Sequence, residues 1–92
     1  MKYEIRLTKK AKKHLDKFGK DTKERINRAF RNLIAYYSGE SASMPDVKML
    51  QGKYNGLLRL RVGDLRVIFR MEMDSPAILV IDIVPRGDAY KD

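Results

Sequence analysis

Four arginines, Arg59, Arg61, Arg66 and Arg70, crowd one short stretch of this chain. Each guanidinium is a planar fork of donors that matches two oxygens of a phosphate at once. Their spacing decides whether they can act together. Gly63-Asp64 separates two runs, Leu57–Val62 and Leu65–Met71. Glycine at the first position of a two-residue loop suits a type II′ hairpin. The register then follows: Val62 faces Leu65, Leu60 faces Val67 and Leu58 faces Phe69, all apolar, which is self-consistent for a half-buried hairpin. The other face pairs Arg61 with Arg66, Arg59 with Ile68 and Leu57 with Arg70. Like charges directly opposite destabilise a sheet by a few tenths to about 1 kcal/mol. A fold gains nothing from that arrangement, whereas a bound anion would neutralise it. Such a face can equally be solvated, or paired with acids from elsewhere; the lack of acids within this stretch favours a ligand.

The chain closes with Pro85-Arg86-Gly87-Asp88-Ala89-Tyr90-Lys91. Arg86 leaves the last strand and Tyr90 follows four residues later. A terminal tail usually frays; the functional alternative is that both side chains return over the arginine face. Lys53 and Lys91 are the remaining nearby amines. Other chemistry finds little support. The single histidine, His14, lies beside an apolar helical stripe and reads as a partly buried structural residue, and one histidine cannot form a two-histidine acid/base pair. The carboxylates are scattered, without a metal-binding cluster, and Gly52 and Gly56 do not make a phosphate loop. With no cysteine, thiol nucleophiles, disulfides and zinc-thiolate sites are excluded.

The elements that must carry these residues are legible. Tyr3–Leu7 alternates apolar and charged, as a half-buried strand does. Thr8 is a candidate N-cap for a first helix with Ala11, Leu15 and Phe18 on one side, stopped at Gly19. Asp21, with Glu24 three residues on, suggests a capping box for a second helix. Ile26, Ala29, Phe30, Leu33, Ile34 and Tyr37 form its apolar stripe, and Gly39 ends it. Residues 38–46 have loop composition. Val47–Asn55 reads as a short edge strand followed by a turn. Ala77–Val84 is apolar almost throughout, as a strand covered on both faces would be. The order β-α-α-β-β-β predicts a single α+β domain over residues 1–92, with a helix hairpin on a small antiparallel sheet that the first strand joins.

Twenty Lys+Arg against 12 Asp+Glu give a formal charge of +8, with a pI near 9.9. Such an excess points to a polyanionic partner, nucleic acid or an acidic protein. Ninety-two residues leave little room for an internal cofactor cavity, so a functional site belongs on the surface and no cofactor is expected. There is no apolar run of membrane-spanning length and no N-terminal apolar signal region, which places the protein in the cytoplasm. The lysines around the first helix read as a solvated face with a part in long-range steering.

Val47-Lys48-Met49-Leu50-Gln51-Gly52, then Leu57 to Phe69 with its R-L-R-V-G-D-x-R-V-I block, then the Pro85–Lys91 tail, together resemble the RelE/ParE toxin superfamily. The likeness covers nearly the whole chain. It implies a microbial-ribonuclease-like fold and the toxin half of a type II toxin–antitoxin pair. RelE-like members cleave mRNA in the ribosomal A site without a metal: the RNA 2′-hydroxyl attacks the adjacent phosphate and leaves a 2′,3′-cyclic phosphate and a 5′-hydroxyl. On that likeness Arg59, Arg66 and Arg86 match basic catalytic positions and Tyr90 the C-terminal tyrosine. Arg61, Arg70, Lys53 and Lys91 are the expected RNA-binding side chains. The implied partners are an acidic, partly disordered antitoxin, mRNA and ribosomal RNA, with operator DNA reached only through the toxin–antitoxin complex. Leu57 departs from the pattern, since RelE-like strands often carry lysine there, and arginine, always protonated, is a poor general base. Two other classes stay open: a ParE-like DNA gyrase inhibitor without nuclease activity, and a non-catalytic RNA-binding module.

Overall fold

The apolar stripes of two helices and the alternating strands find one solution, a helix pair laid on one face of a five-stranded sheet. The computed structural model describes residues 2–86. Strand β1 (Glu4–Leu7) leads into helix α1 (Lys9–Lys17) and helix α2 (Lys20–Tyr37), followed by β2 (Val47–Met49), a single 3₁₀ turn (Gly52–Tyr54), β3 (Leu58–Val62), β4 (Leu65–Glu72) and β5 (Ala77–Pro85). The sheet order is β1-β5-β4-β3-β2. Strands β2 to β5 pair antiparallel, but β1 runs parallel to β5. The sheet is therefore mixed rather than antiparallel. The first strand, separated from the other four by the helix hairpin, joins the edge beside the last and runs in the same direction.

Thr8 caps α1, its hydroxyl oxygen accepting from the Ala11 N–H at 3.1 Å. The expected capping box of α2 does not form. Gly19 is the N-cap, without a side-chain hydrogen bond, and Asp21 lies inside the first turn. There its charge still faces the positive end of the helix dipole. With Phe18 the C-cap of α1, the very next residue, Gly19, already caps α2, so the helix starts before Asp21 can serve as its cap. At the other end Gly39 (φ +77°) closes a Schellman turn, with Gly39 N–H to Tyr36 O and Glu40 N–H to Ala35 O at 2.8 Å. The core joins Ala11, Ile26, Phe30 and Leu33 of the helices to Leu60, Val67, Phe69, Ile78, Val80 and Ile83 of the sheet. Tyr37 is half-buried against Phe69 and Tyr3. Burial first, then the neighbouring phenols of Tyr36 and Tyr3, raise its ionisation above the usual tyrosine range.

Candidate nucleic-acid interface

The hairpin register matches five of the six expected pairs; β3 begins at Leu58, so the expected Leu57–Arg70 pair lies beyond the ladder. Leu58 faces Phe69, Leu60 faces Val67 and Val62 faces Leu65, while Arg59 faces Ile68 and Arg61 faces Arg66. Of the two turn residues only Gly63 has positive φ (+58°), as type II′ requires. The Arg25 side chain presses against Gly63 so closely that a Cβ there would collide with it. Glycine is thus needed for its conformation, while the Arg25 guanidinium, the far end of a flexible side chain, could move aside. In a two-residue hairpin Val62–Leu65 is the hydrogen-bonded pair. Arg61–Arg66 is then a non-bonded pair, the closer kind, with Cα atoms roughly 4.5 Å apart.

On the face away from α2, the registers line the sheet with cross-strand rows. Arg61, Arg66 and Val84 form the row nearest the Gly63 turn. The chain continues the ladder one step further, the Arg86 N–H donating to Asp64 O at 2.7 Å. The pleat then puts Arg86 on the same face as Val84 and Arg66. The next row is Lys48, Arg59, Ile68 and Asp82. Beyond it lie Arg70, Leu79 and Arg6, and last Glu72, Ala77 and Glu4. The acidic last row reaches back to the basic one before it: Arg6 pairs with Glu4 at 2.8 Å and Arg70 with Glu72 at 3.7 Å.

The expected site residues therefore divide. Arg66 and the exposed Arg86 share one end of the open face with Arg61. Among the described residues no ion pair joins any of the three to a carboxylate. Arg66 Nη1 instead folds onto the carbonyls of Gly63 and Leu65, at 3.4 and 3.1 Å, bonds that a phosphate oxygen can replace. Arg61 also lines a cleft of about 510 Å³ between α2 and residues 41–46. Arg59 differs from the expectation of an open arginine. Its side chain is 7% exposed and Nη1 donates to Asp46 Oδ1 at 3.3 Å. The acid comes from the loop before β2, outside the stretch in which acids are absent. Arg70 is already neutralised by Glu72. Lys53 stands over the Tyr54 ring at 5.2 Å, in the 3₁₀ turn that precedes β3, and so at the far end of that strand from Gly63. Tyr90 and Lys91 lie outside the described residues.

A second cluster escaped the reading of the sequence. Asp82, 1% exposed, sits in β5 where the register slips and leaves Ile81 without a partner on β4. Its Oδ1 lies 2.7 Å from His14 Nδ1 and accepts from the Ile83 N–H at 2.9 Å. Oδ2 lies 3.1 Å from Lys10 Nζ. The Thr8 hydroxyl donates to Ile81 O at 2.8 Å. These bonds fasten α1 beside the stretch of β5 that extends past β1. The sequence held a signal for this cluster: one aspartate inside A-I-L-V-I-D-I-V, because a carboxylate buried in a strand needs partners. His14 is half-buried, as expected, but acts as that partner.

The description "ParE toxin of type II toxin-antitoxin system, parDE" names the family whose model matches residues 5–90. The chain belongs to this family. Solved structures agree on the fold. The toxin resembles the archaeal RelE–RelB complex from Pyrococcus horikoshii OT3 with a TM-score of 0.70 and 30% identity, covering 97% of this chain and 100% of that one. It resembles the RelBE2 toxin–antitoxin complex from Mycobacterium tuberculosis with a TM-score of 0.76 and 17% identity, covering 94% and 100%. Against the YoeB/ParE toxin from Agrobacterium tumefaciens the TM-score is 0.71 at 17% identity, covering 90% and 98%. No curated protein sequence matches significantly. Among the described residues of the toxin, no helix is long and apolar enough to cross a membrane.

Proposed function

We propose that this toxin is an mRNA endonuclease acting on translating ribosomes, with the RNA 2′-hydroxyl as nucleophile. The observation that carries the reading is the end of the arginine face at which, among the described residues, no carboxylate pairs with the arginines. There Arg61 stands directly opposite Arg66, and Arg86 is delivered to the same face by the Asp64 hydrogen bond. Arg66 and Arg86 hold the scissile phosphate and Arg61 an adjoining one. Arg59 adds its charge from the buried row beside them. Preorganised positive charge stabilises the pentacoordinate phosphorane more than the singly charged diester, which makes it catalytic rather than merely adhesive. Lys53 and Lys91 are the outer RNA contacts, Arg70 adds little because Glu72 pairs with it, and Tyr90 stacks on a base or moves a proton. An acidic antitoxin covers the same face in the inactive complex; the RelE–RelB and RelBE2 relatives are themselves structures of toxin–antitoxin complexes.

The test is expression of wild type and Arg66→Ala, with mapping of mRNA 5′ ends on ribosomes. Cleavage by the wild type and its loss in the variant is the expected result; intact mRNA with both proteins overturns the reading. The family description favours a second reading, inhibition of DNA gyrase without cleavage of RNA. Gyrase-dependent DNA breaks alongside intact mRNA would establish that one instead.

A further inference from the structure

We infer that His14, oriented by buried Asp82, is the proton acceptor for the cleavage proposed above, an assignment that rests on that reading. Asp82 as a carboxylate only accepts hydrogen bonds. Its 2.7 Å contact with His14 Nδ1 therefore places a proton on Nδ1. The Ile83 carbonyl, 3.2 Å from the same nitrogen, requires the same tautomer. In the neutral ring Nε2 then carries the free lone pair, and it has no hydrogen-bond partner among the described residues. A buried carboxylate that fixes the tautomer and the ring orientation is the arrangement by which proteins prepare an imidazole for proton transfer.

The ring lines an open cleft of about 270 Å³ together with Lys17, Phe18, Ile83, Val84 and Pro85. That cleft adjoins the arginine end of the sheet: Val84 is the cross-strand partner of Arg66, and Arg86 follows Pro85. With its phosphate on Arg66 and Arg86, the 5′-side ribose extends past Val84 to the edge of β5, where His14 of α1 lines the cleft. Nε2 takes the proton of the 2′-hydroxyl as O2′ bonds to phosphorus. The P–O5′ bond breaks, O5′ takes a proton from water, and Nε2 returns its own to solvent. The products are the 2′,3′-cyclic phosphate and the 5′-hydroxyl, with no net proton gained or lost. This supplies the base that Leu57, in place of a lysine, leaves wanting.

The experiment is single-turnover cleavage of mRNA on programmed ribosomes by the full-length toxin. His14→Asn keeps an N–H donor for Asp82 and removes the Nε2 lone pair. It should retain the melting temperature and ribosome affinity of the wild type and lose about 10²–10⁴-fold in cleavage rate, the usual worth of a positioned general base. His14→Ala should recover part of its rate with added imidazole, which a residue that merely clamps α1 to β5 would not show. Cleavage by His14→Asn within threefold of a cleaving wild type overturns this inference and leaves the nuclease reading standing. A wild type that cleaves nothing overturns both.

Discussion

The two ends of the arginine face carry the same residue type and differ in what stands next to it. At one end Arg70 and Arg6 sit one row from Glu72 and Glu4, and each has its carboxylate. At the other end Arg61 and Arg66 meet each other, with Arg86 alongside and a turn beyond them. Exposed pairs of the first kind contribute about 0–1 kcal/mol to stability. They leave little field for an anion to feel. The second kind is a standing electrostatic cost that an anion relieves. Arginine count therefore says little about a binding site, and row order across the sheet says much. Four arginines of one hairpin become three classes: neutralised (Arg70), buried beside an acid (Arg59), and available (Arg61 and Arg66).

The sharpest way to break that contrast is to truncate one arginine from each end. Arg66→Ala should lower mRNA cleavage by on the order of 10²–10³-fold, the usual cost of removing one charge-stabilising donor. Arg70→Ala should stay within about threefold, because its charge is already spent on Glu72. Equal losses would mean that the whole face acts as one diffuse basic patch. A second experiment turns the quiet end into a copy of the active one. The double substitution Glu4→Gln and Glu72→Gln releases Arg6 and Arg70. Nucleic-acid affinity should rise at low salt, and each released arginine that finds a phosphate should steepen the slope of log K against log salt by about 0.7 on single strands. An unchanged slope would show that those carboxylates do not hold the arginines in solution.

Much of this contrast is legible in the sequence, and the limit has a physical reason. Gly63-Asp64 fixed the hairpin register, because a two-residue loop leaves no freedom and period-2 pairing propagates it along both strands. The helix stripes, the Thr8 cap and the Gly39 stop were equally local signals. Three matters were not local. The parallel pairing of β1 with β5 joins residues far apart in sequence. Asp46 reaches Arg59 from a loop whose path no short-range rule sets, so the arginine face looked more open than it is. Asp82 was visible as an odd residue in an apolar strand, yet its partners lie on α1, and only the packing of α1 against β5 names them. The arginine rows came from the pleat; their neutralisation came from tertiary structure.

The smallest effect probes the opposed pair itself. Arg61→Thr replaces one of two facing guanidiniums with a β-branched side chain that suits a strand. If Arg61 and Arg66 burden the fold, the free toxin should gain a few tenths to about 1 kcal/mol. In a domain of this size that is a rise of roughly 2–6 °C in melting temperature. High salt should shrink the gain, since screening already lightens the repulsion in the wild type. The same substitution should weaken RNA binding, so stability and function would move in opposite directions at one residue. A fall in melting temperature would instead show that Arg61 supports the fold, most simply through its place in the cleft against α2. The arginine end would then be held together by packing rather than strained by charge, and its contrast with the Arg70 end would lose its electrostatic basis.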